Sequence, residues 1–113
     1  MMDALIQNAA EFNSGVMEMA MFLSEEGKEF LLTGRILECG SGICGFLRAA
    51  KTVPKRSNDF FIMVVGLSEE FQYLMELMVK FGVITELQSK PLIHDNQIIK
   101  KEAIKLMGKK QSI

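Results

Sequence analysis

Most of the residues able to do chemistry sit in one stretch of this chain, Glu38-Cys-Gly-Ser-Gly-Ile-Cys-Gly-Phe-Leu-Arg48. Three glycines, Gly40, Gly42 and Gly45, would let backbone amides approach a ligand closely or simply turn the chain. Phe46 offers a stacking face and Arg48 an anion clamp. Leu47 lies between them. Lys51, Lys55 and Arg56 follow in the basic run Lys51-Thr-Val-Pro-Lys-Arg-Ser-Asn58 and add optional phosphate contacts. The segment is not a P-loop, which needs a terminal Gly-Lys-Ser/Thr, nor a dinucleotide fingerprint opening a helix.

Other chemistry finds little support. Cys39 and Cys44 make half a zinc set, because His94 is the only histidine and no further cysteine exists. Their C-x4-C spacing also differs from the C-x-x-C of redox pairs. They are expected to be ordinary reduced thiols, with no metal and no cofactor. His94 follows Pro91 in what reads as a turn, so no Ser–His or Cys–His nucleophile pair is assembled. The paired carboxylates Glu25/Glu26 and Glu69/Glu70 fall at predicted helix ends, where solvation and the helix dipole account for them. No catalytic residue is assigned, and the chain is expected not to be an enzyme.

The 113 residues suit a single domain, with a core over 4–93 and a C-terminal helix over 97–108. An apolar share of 49% and a charged share of 24% are those of a soluble globular protein. No apolar run approaches the ~18 residues that cross a bilayer. The N-terminus lacks the features of a signal peptide. Cytoplasmic location without membrane insertion is therefore expected. Charge is uneven along the chain: residues 1–38 carry seven acids against two bases, and residues 39–113 eleven bases against seven acids. The bases gather at Arg48, Lys51, Lys55 and Arg56 and again at Lys100, Lys101, Lys105, Lys109 and Lys110, and such clusters attract phosphate.

The elements that would position these residues read as β-α-β-loop-β-α-β plus a helix. Ala4–Ala10 is an incoming strand, with a single longer helix from Asp3 as the competing reading. Val16, Met17, Ala20, Met21 and Leu23 form a helical stripe that Gly27 ends. Phe30–Leu37 and the nearly continuous apolar run Phe60–Leu67 read as strands. Ser68 caps a helix whose core stripe is Phe71, Leu74, Met75, Met78 and Phe81, ended by Gly82. Val83–Lys90 is a strand with Pro91 at its exit. Asp95 or Asn96 caps the last helix, which Gly108 ends. This order predicts a ferredoxin-like α+β fold, βαββαβ, with an antiparallel four-stranded sheet and the extra C-terminal helix. The bare sheet face then asks for cover, which predicts a homo-oligomer.

A family resemblance sharpens the reading. Cys44-Gly-Phe-Leu-Arg-Ala-Ala-Lys-Thr52 looks like the Gly-Gly-Phe-Leu-Arg-Ala-Gly-Asn-Thr segment of P-II-like cyclic-di-AMP receptors, in the nitrogen-regulatory P-II superfamily. Gly45, Phe46, Leu47 and Arg48 carry over. The resemblance implies a homotrimer that binds a nucleotide between subunits and signals to a protein partner, with Phe46 stacked on a base and Arg48 facing phosphate. A second resemblance, of Leu32-Thr-Gly-Arg-Ile-Leu-Glu-Cys-Gly40 to the LAGLIDADG helix of homing endonucleases, implies instead that Phe30–Cys39 is helical. Two functions follow as expectations. One is a nucleotide-sensing regulator binding its ligand at Gly45, Phe46, Leu47, Arg48 and Lys51. The other is a protein- or nucleic-acid-interaction module using the basic loop and tail.

Overall fold

Four long helices form the whole of the described structure, which is a computed structural model covering residues 2–28 and 31–111, with side chains to Gly108. They are α1 (Met2–Glu25), α2 (Thr33–Thr52), α3 (Ser57–Lys80) and α4 (Glu86–Gln111), with a 3-10 turn at Pro54–Arg56. Each packs on its neighbours in sequence, and α4 packs back on α1, giving an up-down-up-down bundle about 50 Å long and 21 by 20 Å across. No strand occurs among the described residues. The ferredoxin-like sheet and the P-II fold are thereby overturned.

The reason lies in the spacing of buried residues. In α3 the inward positions Ser57, Phe61, Val64, Ser68, Phe71, Leu74, Met75 and Met78 recur at three and four, without a break at Ser68. Phe60–Leu67 is the first half of this helix, with Phe61 and Val64 inside and Ile62 and Met63 outside. The expected bare sheet face does not exist, and with it goes that argument for self-association. Helix α1 likewise runs unbroken through Ala4–Ala10 and Asn13-Ser-Gly15, burying Leu5, Ala9, Phe12, Val16 and Leu23. Met17 and Met21, expected in the core, are exposed, as is Phe81. From Thr33 onward the expected Phe30–Leu37 strand is helix as well; Phe30 lies outside the described residues.

Two of the glycines that read as a loop are helix-contact surfaces. Gly40 is buried, and a Cβ there would meet the Asn13 carboxamide oxygen of α1. A Cβ on Gly42 would stand 2.7 Å from Leu67 Cδ1 of α3. The absence of side chains lets α2 approach both neighbours. True chain reversal uses Gly27 and Gly82, with φ of 66° and 72°. Each closes its helix with a Schellman pair: Lys28 N–H donates to Leu23 O at 2.8 Å, and Val83 N–H to Met78 O at 2.9 Å.

The expected strand Val83–Lys90 is instead a short connection leading into α4, which begins at Glu86. Thr85 and Gln88 form a reciprocal capping box. The Gln88 amide N–H donates to Thr85 Oγ1 at 3.0 Å and the Thr85 N–H to Gln88 Oε1 at 2.8 Å. Pro91 lies inside the helix rather than at a strand exit. Neither Ser68 nor Asn96 is a cap. Both are buried mid-helix and pair across α3 and α4: Ser68 Oγ donates to Asn96 Oδ1 at 2.5 Å, and Asn96 Nδ2 donates to Ser68 O at 3.0 Å. Nor does Gly108 end α4, which runs on to Gln111.

A satisfied polar pair in an apolar interior fixes register, because sliding one helix by a turn would strand both partners. Asn96→Ala should therefore cost about 1–3 kcal/mol in urea unfolding, and the volume-filling pair Asn96→Leu with Ser68→Ala should recover much of it. A loss below ~0.5 kcal/mol for Asn96→Ala would show that the pair contributes nothing.

Candidate nucleic-acid interface

Antiparallel connectivity brings the two basic segments of the sequence to one end of the bundle. The last turn of α2 lies beside the first turn of α1, where Lys51 Nζ pairs with Asp3 Oδ1. The 3-10 turn carrying Lys55 and Arg56 leads directly into α3. Helix α4 runs antiparallel to α3 in a register marked by Lys100 Nζ on Glu69 Oε1 at 2.5 Å and by the Ser68–Asn96 pair. Its C-terminal turns thus return to the start of α3, with Lys101 and Lys105 exposed on the way. Its backbone carries Lys109 and Lys110 further in the same direction.

Within this end, Arg56 Nε sits 3.3 Å from Asp59 Oδ2, and Lys105 Nζ lies 3.8 Å from Glu102 Oε1. Arg48, Lys55 and Lys101 are exposed and have no acidic partner among the described residues. The Lys51 ammonium holds the Asp3 carboxyl below the usual carboxylate range, first by its hydrogen bond and then by its charge. What remains is a surface of exposed cations on a narrow tip.

The residues expected to bind a nucleotide are not gathered. Gly45, Phe46, Leu47 and Arg48 are consecutive on α2, so each points about 100° around the axis from the last. Gly45 and Arg48 face solvent, Leu47 is fully buried, and Phe46 is half-buried with its ring stacked on Phe60 at 6.2 Å. Their backbone amides belong to the helix rather than to a ligand-cradling loop. Of these residues only Arg48 and Lys51 belong to the basic end. Cys39 is buried and Cys44 half-buried on α2, both as free thiols. Burial, reinforced by the Glu70 charge, pushes the Cys39 thiol up to about 11, and burial also raises Cys44, whose Sγ donates to Ala9 O at 3.2 Å. Both stay protonated at neutral pH. His94 is exposed on α4.

Toward the other end, Arg35 of α2 clamps Glu70 of α3 through two bonds, Nε to Oε2 at 2.5 Å and Nη2 to Oε1 at 2.6 Å. The guanidinium lowers the Glu70 pKa, and the carboxylate raises that of Arg35. Glu69/Glu70, expected to answer a helix dipole, instead bind neighbouring helices.

No protein-family model matches the sequence, and no curated protein matches it. A solved structure does match: a protein of unknown function from the S23 ribosomal protein family of Bacteroides thetaiotaomicron, with a TM-score of 0.85 and 24% identity. The match covers 91% of this chain and 97% of that one. The likeness is one of fold, and the P-II resemblance finds no counterpart in it. Among the described residues no helix is long and apolar enough to cross a membrane.

Two measurements check this geometry. A Cβ at Gly45 would meet nothing within 4 Å. Gly45→Ala should therefore raise stability by about 0.5–1 kcal/mol, as expected of an exposed helix position and not of a loop. For the clamp, Glu70 titrates lower in the folded than in the unfolded chain, so its contribution is complete above about pH 4.5 and is lost as pH falls through the lowered folded-state value. Glu70→Gln should accordingly lower Tm at neutral pH, and the gap to the parent protein should close on acidification.

Proposed function

We propose that this chain is a non-catalytic adaptor that holds the phosphate backbone of RNA on the basic end of its bundle. The observation that carries this reading is the meeting of Arg48, Lys51, Lys55 and Arg56 at one tip, with Lys105 on α4 leading toward it, in a molecule whose formal net charge is only −1. Counterion release from phosphates rewards such local density whatever the total charge. Phe46 and Phe60 are engaged with each other, so the tip offers charge rather than a stacking platform, which favours backbone contact over base readout. RNA is the first nucleic acid to try, since the structural neighbour takes its family name from a ribosomal protein. The cytosol, where Cys39 and Cys44 would stay reduced, is the compartment proposed with it.

The test is fluorescence anisotropy with a duplex RNA of about 20 base pairs across a range of salt. Binding should weaken steeply as salt rises. Lys55→Glu with Arg56→Glu should lower affinity at least tenfold and flatten the salt dependence by about two phosphate contacts. Lys90→Glu, on α4 toward the opposite end, should change neither. Salt-insensitive binding, or an equal effect from Lys90→Glu, would refute the assignment.

A further inference from the structure

Three of the cations at or near the basic tip already hold an anion of the protein itself. Lys51 Nζ meets Asp3 Oδ1, Arg56 Nε sits 3.3 Å from Asp59 Oδ2, and Lys105 Nζ lies 3.8 Å from Glu102 Oε1. The second and third pairs join residues three apart in sequence, which local chain geometry brings together anyway. Lys51 and Asp3 are different. They stand 48 positions apart on two helices, so only the folded bundle sets this carboxylate on this ammonium.

Stability accounts for little of this contact. The two side chains are 55% and 81% exposed, and ion pairs so open to water add little to folding. The start of α1 is held elsewhere, by Leu5 and Ala9 in the core and by the Cys44 thiol on Ala9 O. Each charge also suits its own helix end, Asp3 in the first turn of α1 and Lys51 in the last turn of α2. That explains both charges but not their contact. The contact bears directly on Lys51 as an anion binder. A carboxylate and a phosphate oxygen compete for the same ammonium protons, and beside Asp3 the ammonium offers an arriving strand little net charge. Arg48 and Lys55 carry no such partner among the described residues.

We infer that Asp3 is a built-in competitor of RNA, its carboxylate holding the place on Lys51 that a backbone phosphate would take. The inference rests on the RNA reading and names what sets the affinity of that site. Arg48 and Lys55 stand free to take phosphate directly. Lys51 joins only by exchange: its hydrogen bond to Asp3 breaks, one to a phosphate oxygen forms, and the freed carboxylate turns to water. The competitor is always armed, because the same contact holds the Asp3 carboxyl below the usual range and keeps it ionised at neutral pH. Each strand bound therefore works against Asp3, which keeps the hold on backbone weak and readily reversed.

The experiment is the duplex-RNA titration at one fixed salt, run on the full chain as a double-mutant cycle over Asp3→Asn and Lys51→Gln. Asp3→Asn should tighten binding roughly fivefold or more in the parent chain, and less than about twofold in the Lys51→Gln background. Simple repulsion by Asp3 predicts the opposite order, since without Lys51 the carboxylate faces the strand unneutralised. Glu18→Gln removes an exposed carboxylate about 22 Å further along α1 and should change affinity less than about twofold. Asp3 and Lys51 are both exposed, and circular dichroism melting checks that each variant folds. Equal gains from Asp3→Asn with and without Lys51, or a gain no larger than that of Glu18→Gln, overturns the inference and leaves RNA binding standing. Absence of RNA binding by the parent and by Asp3→Asn alike refutes the RNA reading and this inference with it.

Discussion

Phe12 and Phe71 meet edge-to-face at the centre of the bundle, with ring centroids 4.9 Å apart and planes inclined by 75°. They belong to α1 and α3, helices that sit across the core from each other rather than side by side. Both rings are fully buried. The contact joins diagonal helices through large side chains in the centre of the core. Around it the smaller spaces are filled by Ile36, Ile43 and Leu47 from α2 and Ile99 and Ala103 from α4. Close packing of this kind leaves little slack, so the stripe of each helix must face inward in register. The Ser68–Asn96 pair and the glycine contacts of α2 then select one register among those the apolar residues alone would tolerate.

Legibility of the sequence was uneven, for identifiable reasons. Gly27 and Gly82 announce the two reversals, and the Phe71–Met78 stripe announces a helix, because those signals are local. The first half of α3 misleads because Phe60-Phe-Ile-Met-Val-Val is apolar on both sides, which erases the alternation between faces that distinguishes strand from helix. Only by continuing the spacing of Phe61 and Val64 through Ser68 to Phe71 does a single helix emerge, and Ser68 interrupts that stripe with a polar residue whose partner, Asn96, is 28 positions away. Gly40 and Gly42 mislead for a related reason. A glycine in a helix contact is locally indistinguishable from a glycine in a turn, since the neighbour that needs the space belongs to another helix. The Thr85–Gln88 capping box was visible in the sequence and would have shown that α4 starts before Pro91. The longer reading of α1 from Asp3 was available too.

The candidate site was legible in part. Its residues were named from the sequence as two clusters, loop and tail, but their union is a property of an even number of antiparallel helices. In a bundle of this topology, the connection after α2 and the end of α4 always fall on the same side. By the same rule the α1–α2 and α3–α4 connections share the other end.

That separation has a practical side in purification. The basic tip of a rod 50 Å long lies several screening lengths from the far end at physiological salt, where the Debye length is about 8 Å. A resin bead, like any other large charged surface, therefore senses one tip at a time. The molecule should be retained by a cation exchanger through its basic tip, and its elution would report the local patch rather than the near-zero total.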